Sequence, residues 1–397
     1  MHRGRNNGGA MKKKARVIAY YLPQYHPCTI NDEAWGKGFT EWTNVARAKP
    51  LYKGHYQPQI PADLGFYDLR VPEVREQQAK MARECGIEGF CYWHYWIGNV
   101  KRALNLPFDE VLKSGEPDFP FCLGWANHSW EMTTWNKDFS KGKMPKGVII
   151  EQTYPGKEDY IEHFYKLLPA FKDKRYICVN EKPLFLIFRP EDILDMSTFI
   201  ELWNRLAKEN GLKGIHFVGK TTTVNSKTKF KNFYDWEEQK NKRIKRNFDL
   251  GFNALNTDSW MRAELECYGY VAHMIRGGLG ILFPKRPIHR YDYERIMKKY
   301  YIEEEKQENI YPTIIPRLDK TPRVGRGARI WSGCTPEKFE RTVKRVMEMI
   351  KDKDDEHKIV FLQSWNEWGE GNYMEPDDKF GHGFMEALKN AVFEKID

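Results

Sequence analysis

The sequence predicts a single (β/α)₈ barrel with long strand-to-helix loops. Eight short apolar runs recur along the chain, most are followed by a segment of helical period, and the alternation covers nearly the whole length. The runs are apolar at almost every position, as in a parallel strand covered on both faces. Repeated strand–helix alternation defines the α/β folds. An open doubly wound sheet is the alternative arrangement of the same elements. No linker or internal repeat divides the chain. Residues 15–397 are therefore read as one catalytic barrel domain, behind a frayed Gly/Asn- and Lys-rich leader over 1–14.

The first strand covers 16–21 and ends at Leu22-Pro23. Pro72 in a first turn and Gly86 as a stop predict a helix over 72–85, with Val74, Met81, Ala82 and Cys85 on one face. Strand two follows at 87–92, a short helix at 104–113 and strand three at 119–125. A helix over 160–171 leads to strand four at 183–188. Ser197 caps a helix that places Phe199, Trp203 and Leu206 on one face and closes at Asn210-Gly211. Strand five is 215–219, and strand six, the weakest, is 251–255. The stretch 291–301 reads as helix and 313–317 as strand seven. Thr335-Pro336 opens a helix whose Phe339, Val343, Val346, Met347 and Ile350 form one stripe. Strand eight is 359–363, and a last helix covers 383–393.

Composition narrows the class. Hydrophobic residues make up 41% and charged residues 30%, a globular balance that argues against disorder. Every apolar run is too short to span a bilayer as a helix. The net charge of +9 admits acidic or phosphorylated partners without requiring them. The seven cysteines are odd in number and form no CxxC, which speaks against a disulfide framework or a zinc site. Val17-Ile18-Ala19 is too short for a signal-peptide core, so a cytoplasmic location is expected. The 13 Trp and 21 Tyr exceed what a bland core needs and suit surfaces that bind sugar rings. The basic segment 220–246 is either a solvated face or a lip for a phosphorylated or lipid-linked glycan.

In a barrel of this kind the chemistry sits at the C-terminal ends of the strands. Tyr20, Tyr21, Gln24, Tyr25 and His26 follow strand one. Tyr92, Trp93, His94, Tyr95 and Trp96 follow strand two, and Trp125, Asn127, His128 and Trp130 follow strand three. Arg317, Asp319 and Arg323 come after strand seven. Trp365, Asn366, Glu367, Trp368, Glu370 and Glu375 come after strand eight. Aromatic faces suit the C–H faces of pyranoses, and amides and carboxylates suit their hydroxyls.

The sharpest local feature is Ser364-Trp365-Asn366-Glu367-Trp368-Gly369-Glu370-Gly371. Two carboxylates stand three apart beside two indoles. Low local polarity and a like-charged neighbour drive two carboxyl pKa values apart, as acid/base cleavage of a glycosidic bond requires. The two glycines favour a loop over a helix here. Alternatively, both are loop carboxylates bound to backbone amides. His26, His94 and His128 read as neutral hydrogen-bonding residues rather than metal ligands, because no HExxH or close pair accompanies them. Asp352-Lys353-Asp354 resembles a metal-binding D-x-D but precedes strand eight, at the opposite end of the barrel. Gly277-Gly278-Leu279-Gly280 does not lie between a strand and a helix and is a poor nucleotide loop.

Several runs together resemble the WbsX-like group, which is similar to glycoside hydrolase family 99. They are residues 20–27 (YYLPQYHP), 35–42 (WGKGFTEW) and 89–96 (GFCYWHYW), Trp125-Ala126-Asn127, Asn366-Glu367-Trp368, Glu370-Gly371 and Glu375-Pro376. The matches run from about residue 16 to 393. The resemblance implies a barrel acting on glycans with no metal or other cofactor. It adds Glu41 and Trp42 to the candidate substrate-binding residues. It also implies that Glu367 is the base toward the substrate's own 2-hydroxyl, the internal nucleophile of an epoxide-like intermediate, and that Glu370 is the general acid/base. Gly369 stands where family 99 commonly has His.

The reading is a retaining glycoside hydrolase or transglycosidase of a bacterial polysaccharide or its precursor, with Glu367 and Glu370 catalytic. Its expected partner is an oligo- or polysaccharide, with a phosphorylated or lipid-linked form included. A glycosyltransferase of surface-polysaccharide assembly is the alternative, and a non-catalytic glycan-binding barrel is a third. Nucleic-acid binding fits poorly, since the aromatics follow strand ends and the basic run lies elsewhere.

Overall fold

The computed structural model describes residues 11–131, 147–222, 233–269, 275 and 289–395. Eight parallel strand positions close into a barrel in sequential order. They are β1 Arg16–Tyr21, β2 Ile87–Gly98, β3 Phe121–Trp125, β4 Lys182–Ile187, β5 His216–Thr222, β6 Ala254–Asp258, β7 in two pieces (Ile310–Tyr311 and Thr313–Ile314), and β8 Ile359–Leu362. Pro312 divides β7 because it has no N–H to give the ladder. Ile310 pairs with Leu255 of β6, and Thr313 pairs with Phe361 of β8. The Pro312 carbonyl still accepts the Phe361 N–H at 3.0 Å. β8 then pairs with β1 through Ile359 and Arg16, which completes the closed barrel rather than an open sheet.

A helix follows each strand. Those after β1 to β5 are Pro72–Glu84, Leu106–Ser114, Lys157–Phe171, Met196–Glu209 and Phe233–Asp249. Trp260–Tyr268 and Tyr293–Tyr300 follow β6, Pro336–Met349 follows β7, and Gly383–Val392 follows β8. The expected stripes face the barrel. Trp203 is fully buried and meets Phe199 at 4.6 Å and Phe185 at 4.9 Å. Each such side chain contributes roughly 1.5–3 kcal/mol by leaving water. Thr335 caps its helix by accepting the Lys338 N–H, with Pro336 in the first turn.

Several boundaries differ from expectation: strand two runs past residue 92 to Gly98, and Ser197 lies inside its helix, behind the N-cap Asp195. Residues 291–301 are not one helix: His289–Asp292 is a strand, and the Asp292 side chain accepts the Arg295 N–H at 2.9 Å, so the helix starts at Tyr293. Strand six begins at Ala254, because Gly251 at φ +101° turns the chain first. Strand seven is shorter than 313–317 at its C-terminal end, where Pro316 follows. The end of the expected leader is strand, since Met11–Lys13 pairs antiparallel with Phe393–Lys395; residues 1–10 lie outside the described residues.

The loops after β6 and β7 build a small annex. His289–Asp292, Leu318–Asp319 and Arg329–Ser332 form a three-stranded sheet. It shares a core of Ala263, Tyr291, Tyr293, Ile296, Met297 and Trp331 with two helices. This annex brings Trp260, Lys320, Arg323, Arg329 and Trp331 to the C-terminal end of the barrel. Among the described residues no helix is long and apolar enough to cross a membrane.

Candidate active site

A cleft of about 850 Å³ opens at the C-terminal strand ends. Strand alternation decides which residues reach it. On β1, Tyr20 lines the cleft, while Tyr21 turns away and donates to Gln78 Oε1 at 2.7 Å. On β2, Trp93 and Tyr95 line it. The intervening His94 and Trp96 face the helix Lys157–Phe171, where His94 Nε2 meets His163 Nε2 at 2.9 Å and the Trp96 indole donates to Asp159 at 2.8 Å. Trp125 likewise packs outward on Phe199. Asn127 lines the cleft and joins two loops: its Nδ2 donates to the Arg189 carbonyl at 2.8 Å, and its Oδ1 accepts the Arg189 N–H at 2.7 Å.

The loop after β8 is an arch fixed from within. Asn366 grips the end of β1, accepting the Leu22 N–H at 2.7 Å and donating to the Leu22 carbonyl at 3.0 Å. The Glu367 N–H donates to Ser364 Oγ at 2.9 Å. Trp368–Glu370 forms a 3₁₀ turn, and Gly371 closes it at φ +62°. A Cβ on Gly371 would stand 2.8 Å from the Asp319 carbonyl oxygen, so position 371 requires glycine for space as well as for φ. Trp368 is fully buried and donates from its indole to Glu375 at 2.6 Å. Glu375 also accepts from Gln78 at 2.6 Å and Tyr67 at 2.9 Å. Burial outweighs these bonds and pushes its pKa up to about 7.

Glu367 and Glu370 both line the cleft. Arg323, from the short helix Thr321–Val324, bridges them: Nη1 donates to Glu370 at 2.8 Å and Nη2 to Glu367. The far edge of the guanidinium is held by Glu41, with Nη2 to Oε2 at 2.8 Å and Nε to Oε1 at 3.1 Å. Lys320 adds a second cation at 2.8 Å from Glu370. Burial, countered by Arg323 and reinforced by the Glu370 and Glu41 charges, drives Glu367 up to about 8. Burial also acts on Glu370, but Lys320 and Arg323 together hold it down to about 2. The two surroundings drive the pair apart, Glu367 toward keeping its proton and Glu370 toward ionisation.

Of the candidate residues, Tyr20, Gln24, Tyr95, Asn127, Arg323, Glu367 and Glu370 come together on the cleft. Tyr21, His26, Glu41, Trp42, His94, Trp96, Trp125, Asp319, Trp365, Asn366, Trp368 and Glu375 lie behind it. Asp319 is taken by His55 at 2.7 Å and Gln57 at 2.8 Å. The Trp42 indole donates to the Tyr67 carbonyl at 2.7 Å and packs beneath Trp368. Burial lowers the pKa of His26, His94 and His128, and the three do not converge.

Trp93, His128 and Trp130, named among the strand-end residues, also line the cleft, as do Lys220 and Arg243 of the basic segment; Trp260, Lys320 and Arg329 had no expectation attached. Lys220 reaches the cleft from β5 and lies 4.9 Å over the Tyr20 ring. Arg329 stacks at 3.6 Å on Trp260 of the annex. In the basic segment, residues 223–232 lie outside the described residues. In the helix that follows, Lys240, Lys242, Arg243 and Lys245 all have carboxylate partners, so much of its charge is internally paired. Asp352-Lys353-Asp354 lies before β8, away from the cleft, with the Lys353 ammonium on the Ile310 carbonyl at 2.6 Å. Residues 277–280 lie outside the described residues.

A family model described as glycosyltransferase WbsX matches residues 17–388. The uncharacterized protein WxcX of Xanthomonas campestris pv. campestris, in strains B100 and ATCC 33913, is 30% identical over 389 residues. The match takes in 95% of this chain and 50% of each relative, so the chain spans about half the length of these curated proteins. Among solved structures, a glycoside hydrolase-like protein superposes with a TM-score of 0.56 at 13% identity, covering 97% of this chain and 95% of the other. A glycoside hydrolase family 99 endo-α-mannosidase from Bacteroides thetaiotaomicron gives 0.53 at 13%, covering 95% and 94%. These two likenesses show the barrel fold.

Proposed function

This chain belongs to the glycosyltransferase WbsX family, and from that premise we propose that it is a glycan-processing enzyme that cleaves or transfers at a glycosidic bond with retention of configuration. The observation that carries the reading is the placement of Glu367 and Glu370 in one aromatic-walled cleft, joined by Arg323. A protonated and an ionised carboxyl side by side supply the acid and the base that such a reaction needs.

The resting electrostatics favour Glu367 as proton donor to the departing oxygen. Glu370, kept ionised by Lys320 and Arg323, then accepts the proton of the sugar's 2-hydroxyl as that oxygen attacks the anomeric carbon. This exchanges the two roles implied by the resemblance. Trp93, stacked on the buried Tyr20, offers aromatic surface to the sugar, and Gln24 and Asn127 line the same space with amides. The substrate we propose is a bacterial polysaccharide or its precursor.

Incubation with a glycan panel, followed by NMR of the first-formed anomer, tests the reading. A retained anomer that vanishes in both Glu367→Gln and Glu370→Gln is expected. Full activity in both variants would overturn it. Transfer from a sugar nucleotide is the second reading, favoured by the family's description. Calorimetric titration with common donors separates the two, because only the transferase reading requires binding.

A further inference from the structure

Gly369 is bare for a reason that lies outside its own backbone. Its φ is not in the left-handed region, so the chain conformation there would admit other residues. Space does not. A Cβ on Gly369 would lie 1.8 Å from Glu41 Oε1, 2.5 Å from its Cδ and 2.9 Å from Arg323 Nε. The Glu41–Arg323 pair therefore rests directly on the turn that carries Glu367 and Glu370.

Glu41 itself has no exposed surface and does not line the cleft. It comes from the helix Glu41–Arg47 in the β1 loop, and its Thr40 N-cap and Trp42 neighbour are packed in place. It grips the edge of Arg323 that does not face Glu370, with Nε and Nη2 both donating to it. Around this guanidinium three carboxylates meet two cations, Arg323 and Lys320. Buried charges of that count leave one carboxylate uncompensated, and the cheapest relief is a retained proton. The other groups facing the cluster are the hydroxyls of Tyr25 and Tyr95, near Glu367, and the Lys220 ammonium, which interacts more strongly with Asp258 than with Glu370 and so is balanced outside the cluster.

We propose that Glu41 is a positioning residue that clamps Arg323 over Gly369, fixing the orientation of Glu367 and Glu370 and obliging the three carboxylates to hold one proton among them. The inference rests on the proposed use of Glu367 and Glu370 as the working pair, but it concerns the resting protein and has a readout that needs no substrate. Glu41 acts through Arg323 and does not touch the sugar.

The test is carboxyl-carbon NMR of the full chain labelled with ¹³C-glutamate, titrated in the wild type and in Glu41→Gln. Glu367 is assigned from the signal lost in Glu367→Gln. Removing the Glu41 charge frees Arg323 for Glu367, and the Glu367 titration is expected to fall by about one pH unit or more. Gly369→Ala leaves every charge in place but displaces Glu41, and the same downward shift is expected; it serves where Glu41→Gln does not fold. An unmoved Glu367 titration in a folded variant overturns the proposal, even if stability falls. A shift without turnover on any glycan would sink the proposed function and leave this inference standing. Turnover without a shift would do the reverse.

Discussion

Tyr20 of β1 and Trp93 of β2 stack with ring centroids 4.7 Å apart and planes 14° from parallel, at the floor of the cleft. Gly124 of β3 makes room for this pair, since a Cβ there would come within 3.1 Å of the Trp93 ring. The Tyr20 hydroxyl donates to Asn256 Oδ1 at 2.7 Å, and the same oxygen accepts from Lys220 at 3.3 Å. The platform is thus tied to β5 and β6 across the barrel.

Trp93→Ala and Trp96→Ala are expected to differ in kind although they lie three residues apart. Trp93 lines the cleft, and if the proposed glycan binds there its loss should raise KM roughly tenfold, or about 1.4 kcal/mol, with little change in kcat. Trp96 is fully buried against the helix layer, so its loss should cost about 3–5 kcal/mol of stability. Steady-state kinetics and denaturant unfolding on both variants check the contrast. Equal KM effects would show the assignment of faces to be wrong.

Glu367→Gln and Glu370→Gln should each lower turnover by about 10²–10⁴-fold while glycan binding persists. Substrates with an acidic leaving group need no proton donor. They should restore activity to Glu367→Gln and leave Glu370→Gln inactive. The opposite pattern would return the acid role to Glu370.

Glu375 predicts a pH dependence of stability. Its folded pKa of about 7 lies above the ordinary 4.5, so between these values the folded state binds more protons than the unfolded chain. The contribution of this group to stability should therefore be greatest below about pH 4.5 and fall until about pH 7, by about 3 kcal/mol at most. Glu305, also near 7, adds to the same slope. Glu375→Gln should flatten part of the decline in a pH series of urea melts.

Gly371→Ala combines positive φ with a clash on the Asp319 backbone. It should cost about 1–3 kcal/mol and distort the arch that carries Glu370. A lowered midpoint of thermal unfolding together with reduced kcat is the expected result.

The periodicity of apolar residues was enough to reveal the barrel, because each strand and helix answers to its own neighbours in sequence. Pro72, Thr335 and the stripe from Phe339 to Ile350 mark their elements without reference to the rest of the chain. The pairing of Glu367 with Glu370 was legible for the same reason, since the two are local to one turn. Tertiary structure decided which member of each strand end faces the cleft. That depends on the register and closure of the barrel, so Tyr95 reaches the cleft and His94 does not. It also decided that Glu41 and Arg323, 282 residues apart, meet over Gly369. Nothing local to either residue encodes that meeting. It follows from β1 and β7 delivering their loops to the same end of a closed barrel, where buried opposite charges must find one another.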